Sequence, residues 1–463
     1  MKLFTWKMVF IGLFLMLALI GFINWDYVYG YVDSSPAGGE IADSTIKESV
    51  LPSIDCDYLL TDGLIVDGTG SFPYTGNVGI KGDTIVAVGD FTADSDAKHI
   101  NTAGLVVSPG FIDIHTHTED YWASGGTGEM VLEQGVTTHI TGNCGTAPAS
   151  IGKYLDSLQS SPINVGILVG YKSLRQAVID KEPGKVGENE IIKMKEILAA
   201  GMREGAFGLS VGLGYYPQSL ATGQELIELC QVVKDYNGYY ATHIRSEEDK
   251  VISAVKEAIS IGFKAGVPVQ YSHVKVAGNK NWGKMPQVLQ LIEEAQSQGL
   301  EITGDVYGYT YSSTDQAQNK VKESMQEEDM LLALTHPLIM IGSDSGLTTR
   351  GVASHPRAYA NYSRILSLYV RDKKVLSLEQ AVHKMTLMPA KRLNLGDRGM
   401  IAVGKKADLA VFNLDGVMEN ASRTNPNVLS AGMKYVFVNG KPALAEGEIT
   451  GTMAGIPLRH SAE

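Results

Sequence analysis

Two histidines one residue apart end a short apolar run, Phe111-Ile112-Asp113-Ile114-His115-Thr116-His117. Side chains alternate faces along a strand, so His115 and His117 point the same way. Two imidazoles on one face at a strand's end can share a metal ion. The same pairing of apolar run and polar end recurs along the chain. Residues 136–142 lead into Asn143-Cys144-Gly145, residues 239–245 carry His243, residues 267–273 end in His273, and residues 338–343 lead into Asp344. Imidazole, thiolate and carboxylate are natural zinc ligands. His115, His117, Cys144, His243, His273 and Asp344 are therefore the candidate ligand set for Zn2+. A lone strand-end histidine is ordinarily a hydrogen-bonded structural residue, and Gly-Ser-Asp alone is a turn or a helix cap. The convergence of all six is what points to a metal. Zinc lowers the pKa of bound water towards neutrality and polarises a carbonyl oxygen. A carboxylate beside it can pass the water's proton to a leaving amine, and Asp344 is the candidate for that catalytic role. No lysine ends the run 207–212, so a carbamylated lysine bridge is not expected.

The fold must bring these ends together. The apolar runs 111–117, 136–142, 164–171, 207–212, 239–245, 267–273, 301–307 and 338–343 alternate with segments of helical spacing. Val251, Ala254, Val255, Ala258 and Ile259 form one such segment, and Val288, Leu291, Ile292 and Ala295 another. This alternation predicts an α/β protein with a (β/α)8 barrel over 109–393, its reactive groups at the C-terminal strand ends. Before the barrel, 59–66, 78–80 and 84–88 read as short strands separated by Asp67-Gly68-Thr69-Gly70 and Lys81-Gly82-Asp83. Strands return at 407–412 and 434–438, followed by the turn Asn439-Gly440. Residues 55–108 and 394–463 are expected to pack as a small β-sandwich domain built from both ends of the chain.

With 463 residues, 44% of them hydrophobic and 19% charged, the chain has enough apolar material for such a core. A net charge of −12 argues against a nucleic-acid partner, which needs clustered Lys and Arg. Three scattered cysteines do not make a disulfide framework, and Cys56 and Cys230 read as buried small hydrophobes. At the N-terminus, Lys2 and Lys7 precede an uncharged stretch from Met8 to Trp25. A helix of that length can cross a bilayer core. The basic flank predicts an uncleaved signal anchor over 1–30, ahead of a cleaved signal peptide, with a polar linker over 31–54. On that reading the catalytic body is extracytoplasmic and membrane-anchored, or secreted or periplasmic if the helix is cleaved.

The residues also resemble a known family. From about Tyr58 to Arg459 the chain is similar to the amidohydrolase superfamily, and within it to the D-aminoacylases (N-acyl-D-amino-acid deacylases). The resemblance rests on Val66-Asp67-Gly68-Thr69-Gly70, on Pro109-Gly110-Phe111-Ile112-Asp113 running into His115-Thr116-His117, and on Gly135-Val136-Thr137-Thr138 before Gly142-Asn143-Cys144-Gly145. It continues through Gly205-Ala206-Phe207-Gly208-Leu209-Ser210, Tyr240-Ala241-Thr242-His243-Ile244-Arg245, Asn281-Trp282-Gly283-Lys284, His355-Pro356-Arg357 and Lys406-Ala407-Asp408-Leu409. The Asn-Cys-Gly element is the most specific of these. The resemblance implies a tight zinc site of Cys144, His243 and His273. It implies a weaker site of His115, His117 and Asp344, with one or two metals both open. It further implies that Tyr215, Lys275, Tyr307, Ser313 and Arg357 bind a substrate carboxylate. An arginine fork and a lysine suit that anion.

Two departures stand out. The family's lid between the seventh and eighth strands is missing, and a single helix is expected from Lys320 to Thr335. Gly308 stands where the family usually has proline. The activity implied is deacylation of N-acyl-D-amino acids, small molecules with a free carboxylate. The alternatives are another amidohydrolase activity (dipeptidase or cyclic-imide hydrolase) and a membrane-anchored metal-binding protein with weak turnover.

Overall fold

The apolar runs form the strands of a closed parallel barrel in the computed structural model, which describes residues 51–313 and 321–461. In order they are Phe111–Asp113, Val136–Thr141, Asn164–Ile167 continuing after Leu168 as Val169–Gly170, Gly208–Gly212, Tyr239–His243, Val269–Tyr271, Ile302–Val306 and Ile339–Ile341. Each pairs in parallel with its neighbour in sequence. At the break in the third strand, Leu168 N donates to Thr141 O and Phe207 N to Ile167 O, which carries the ladder across. The second, fourth and fifth strands are buried along their whole length, as a parallel sheet covered by helices requires.

The barrel closes between its last strand and its first. Ser345–Gly346 pairs in parallel with Thr116–His117, and Asp344 N donates to His115 O at 2.9 Å. Asp113 fastens this seam. Its Oδ1 accepts the backbone N–H of Ser343 at 2.9 Å and of His115 at 3.3 Å. Burial pushes its pKa up to about 6 in spite of those donors.

Outer helices follow local signals. Gly223–Asp235 starts at Thr222, whose hydroxyl accepts the Glu225 N–H while the Glu225 carboxylate reaches back to the Thr222 N–H. Val251–Ala265 buries Val251, Ala254, Val255 and Ala258 and stops at Gly266, whose φ of 67° glycine adopts without steric cost.

Strands from both ends of the chain form one continuous nine-stranded sheet beside the barrel. Its order runs Glu448–Ile449, Lys441–Ala445, Met433–Val438, Leu409–Phe412, Val106–Pro109, Tyr58–Ile65, Tyr74–Lys81, Thr84–Gly89, with Lys98–Asn101 also beside Tyr58–Ile65. The two ends meet where Leu409–Phe412 lies antiparallel to Val106–Pro109. Leu60, Val78, Ile85, Val107, Leu409 and Phe437 pack in one apolar cluster, distinct from the main core of the barrel. Gly110 joins this sheet to the first barrel strand. A Cβ there would lie 2.3 Å from the Thr137 side chain, so only glycine fits the junction.

Three expectations are corrected. The localisation and membrane partner inferred from the N-terminal helix are not supported, because among the described residues no helix is long and apolar enough to cross a membrane. Glu188–Arg203, with 16 residues, would span about 24 Å against a hydrocarbon core of about 30 Å, and it is studded with Lys and Glu. The stretch 8–25 that suggested the anchor lies outside the described residues, as does most of the linker. The linker's end is not loop: Ser53–Ile54 pairs in parallel with Thr92–Ala93. Finally, the helix expected from Lys320 begins later, at Glu327–Thr335. Val321–Glu323 instead pairs antiparallel with Tyr311–Ser313 as a short hairpin. Glu327, Glu328 and Asp329 mark the real helix start, where negative side chains complement the helix dipole.

Candidate active site

All six candidate ligands converge at the C-terminal end of the barrel. Their ligand atoms fall into groups within 4.8 Å: His115, Cys144 and His273; His115, His117 and Asp344; His243, Glu247 and His273. Cys144 Sγ lies 3.6 Å from both His115 Nε2 and His273 Nε2. His243 Nδ1 lies 2.8 Å from His273 Nε2. Asp344 Oδ1 lies 3.1 Å from His117 Nε2 and 3.5 Å from His115 Nε2. The grouping differs in detail from the one the resemblance implies. Here Cys144 sits closest to His115 and His273, while His243 turns onto His273 and Glu247.

The backbone aims these groups. Cys144, His273 and Asp344 have φ of 49°, 39° and 51°, a left-handed conformation that non-glycine residues rarely adopt. Such strain persists only where the surroundings over-determine it. At Cys144 they do. Gln218 Nε2 donates to Cys144 O at 2.9 Å, and Gln218 Oε1 accepts from Gly212 N at 2.7 Å. Ser210 Oγ donates to Gly142 O and accepts from Gly145 N. A Cβ on Gly145 would sit 1.9 Å from Gln218 Oε1, which explains the glycine after the cysteine. The fourth strand supplies no ligand; it supplies this clamp.

Electrostatics suit metal binding. Burial opposes ionisation of the Cys144 thiol, but His115, His117 and His243 hold its pKa well below the ordinary thiol range. Burial likewise opposes charge on Asp344, yet Arg357 and His117 hold its carboxyl well below the usual range. One thiolate, four imidazoles and a carboxylate in this space fit zinc.

The sequence reading missed the groups around these ligands. Asp305, at the end of the seventh strand, holds His115 Nδ1 at 3.0 Å and accepts the His273 N–H at 2.8 Å. Glu247 Oε1 lies 3.0 Å from His273 Nδ1 and 3.3 Å from Lys275 Nζ. Asp305 was findable as a carboxylate at a barrel strand's end. Glu247, four residues past His243 in a loop, carried no periodic signal.

The expected carboxylate-binding residues are unequally placed. Arg357 Nη2 pairs with Asp344 Oδ2 at 2.9 Å, and its Nε and Nη1 have no partner although buried. Arg357 and Lys275 both stand over the Tyr307 ring, at 4.8 and 5.4 Å from its centre. The Tyr215 ring lies 4.5 Å from that of His243. Ser313, on the hairpin, bonds Ser354 at 3.2 Å. These residues, except Tyr307, line a cavity of about 590 Å³ together with His117, Cys144, His243 and Asp344. His355 shapes its rim: Nε2 donates to Tyr311 O and Nδ1 accepts the Arg357 N–H, tying hairpin to arginine.

A metal-ligand ring at the mouth of a (β/α)8 barrel, with a sheet built from both chain ends, defines a class of metal-dependent hydrolases, and the comparisons agree. Residues 106–443 match the amidohydrolase family, and the chain belongs to it. It is 32% identical to a D-aminoacylase of Alcaligenes xylosoxydans xylosoxydans over 477 residues, covering 88% of this chain and 98% of that one. That span exceeds the whole of this chain's 463 residues, so the relative carries segments this chain lacks. A solved D-aminoacylase, described for its binuclear metal centre, superposes with a TM-score of 0.81 at 31% identity over 87% of this chain and 100% of its own. An N-acyl-D-glutamate deacylase of Bordetella bronchiseptica, solved with zinc and a phosphonate mimic of the tetrahedral intermediate, does so at 0.81 and 29%, over 88% and 100%. The chain is thus an amide-bond hydrolase of the D-aminoacylase group, and zinc, which the Bordetella bronchiseptica relative carries, is the cofactor its donor set fits.

Proposed function

We propose that this chain removes the acyl group from N-acyl-D-amino acids, with Asp344 as acid and base. Cys144, His243 and His273 would hold the principal zinc, and His115, His117 and Asp344 a second, weaker one. Bound there, zinc supplies an activated water and polarises the scissile carbonyl. The observation that carries the reading is the position of Asp344. Its Oδ1 faces His117 and its Oδ2 faces Arg357, so one carboxylate stands between the metal ligands and the guanidinium. A substrate carboxylate accepted by the free Nε and Nη1 of Arg357, with Lys275 beside it, sets the amide next to Asp344. Asp344 then takes the proton of the attacking water and delivers it to the leaving nitrogen. D configuration is carried by the relatives' substrates.

The test measures bound zinc and hydrolysis of N-acetyl-D- and N-acetyl-L-amino acids. Zinc-dependent turnover of the D series, lost in Asp344→Ala, is expected. Unchanged turnover in Asp344→Ala would remove the mechanism, and a preference for the L series would remove the stereochemical assignment.

A further inference from the structure

The cavity is unusually polar for a small-molecule site. Such pockets are mostly lined by hydrophobic side chains. Here, among the described residues, no leucine, isoleucine, valine, phenylalanine or methionine lines it. Thr146, Ser312, Ser313 and Ser354 supply hydroxyls, and Tyr215 and Tyr216 supply aromatic rings. An aliphatic substrate group would leave water here without an apolar wall to receive it.

The two carboxylates of the cavity already have cationic partners. Among the described residues three cations line it: Lys172, Lys275 and Arg357. Lys275 faces Glu247 at 3.3 Å and Arg357 faces Asp344 at 2.9 Å. The Lys172 side chain makes no hydrogen bond or ion pair with any described residue. It is half-buried, and its backbone is held on both sides. The hydroxyl of Tyr171 donates to Glu225 Oε1 at 2.5 Å, and Ser173 Oγ donates to Ala147 O at 2.6 Å. The start of this helix, Tyr171–Val178, packs directly on the turn carrying Cys144, since a Cβ on Gly170 would lie 2.5 Å from Gly145 O. Lys172 is thus an ammonium without a side-chain partner, carried by an anchored helix start beside the metal-ligand ring.

We propose that the substrate carries a second anionic group besides its α-carboxylate, and that Lys172 binds it. The group is a carboxylate, on the amino-acid side chain or on the acyl chain. This inference rests on the function proposed above and narrows its substrate class. A carboxylate–ammonium hydrogen bond in a half-buried wall contributes enough for about tenfold discrimination or more.

The experiment compares kcat/KM of the zinc-loaded protein for N-acetyl-D-glutamate, N-acetyl-D-glutamine, N-acetyl-D-leucine and N-succinyl-D-alanine. Calorimetric binding of the same compounds runs in parallel. The glutamate or the succinyl compound, according to which end of the substrate Lys172 meets, is expected to exceed glutamine and leucine about tenfold. Lys172→Met should abolish that advantage and leave the neutral substrates unchanged, and Lys172→Arg should keep it. Equal rates for glutamate, succinyl and neutral compounds would overturn the inference, as would an advantage that survives Lys172→Met. If no N-acyl amino acid is hydrolysed, the proposed function fails, while the binding arm still decides whether Lys172 selects a second anion.

Discussion

The mouth of the barrel and the nine-stranded sheet use the same backbone conformation for opposite ends. In the sheet, left-handed residues such as Asn439 (φ 46°) and Glu446 (φ 55°) reverse the chain between strands. At the barrel mouth, Cys144, His273 and Asp344 take it immediately after strands that continue into loops, and each points a candidate ligand inward. In the sheet Asn439 is also held by residues outside its turn, since its N–H donates to Asp408 Oδ1 at 2.7 Å and its Nδ2 reaches the barrel at Asn164. Strain at the mouth is met from elsewhere: by Gln218 and Ser210 for Cys144, and by Asp305 for His273. Both regions draw on distant supporting residues, but those of the sheet tie it to the barrel, whereas those of the mouth aim candidate ligands.

That contrast can be broken at several points. Replacing the proposed acid and base should affect turnover alone. Asp344→Asn is expected to lower kcat by about 10³-fold while the calorimetric melting temperature stays within a few degrees; a large loss of stability would make Asp344 a structural residue like those of the sheet. Loosening the restraint on Cys144 comes next. Gln218→Ala should weaken zinc binding by about 10–100-fold, measured by chelator competition, because groups that orient ligands contribute on that scale. Undiminished affinity would show that Cys144 holds its conformation unaided.

In the sheet the reverse pattern is expected. Asn439 combines its turn conformation with side-chain bonds from Nδ2 to Asn164 Oδ1 and to Ala454 O, both at 2.8 Å. Asn439→Ala should destabilise by about 1–3 kcal/mol in denaturant unfolding, with kcat and zinc content unaltered below the transition. The smallest effect lies between the regions. Burial, with the charge of Glu448 on the sheet adding to it, pushes the Glu133 pKa up from 4.5 to about 7. The folded chain therefore keeps a proton that the unfolded chain releases between these values, so stability falls as pH rises through that window. Glu133→Gln removes the penalty, and its melting-temperature gain should be larger at pH 8 than at pH 5.

Legibility followed the range of the interaction. Barrel strands announced themselves by apolar runs with polar ends, and the observed strands fall inside the predicted runs with one to four residues trimmed. Helix positions such as Val255 and Ile292 were readable from spacing. The convergence of six ligand residues was likewise visible, because each ends a strand and the barrel places strand ends together. What escaped was everything fixed by distant partners. Gln218 is an unremarkable loop residue until Cys144, 74 positions away, is folded against it. Glu247 and Lys172 acquire meaning only from the cavity they share. Val321–Glu323 falls within the expected helix because Met330 and Leu334, four residues apart on the helix that follows, give that stretch its helical signal.

The seam between the last and first barrel strands also orders events in time. His117 and Asp344 touch across it, yet 227 residues separate them in the chain. During synthesis every other barrel strand is made before the aspartate exists. Contacts of such sequence separation are among the slowest to form, so the pairing of this histidine with this carboxylate is a late event in folding. If Asp344 is the acid and base proposed above, proton transfer becomes possible only when the barrel closes, and a chain whose final strand has not docked would be inactive however well its other candidate ligands are placed.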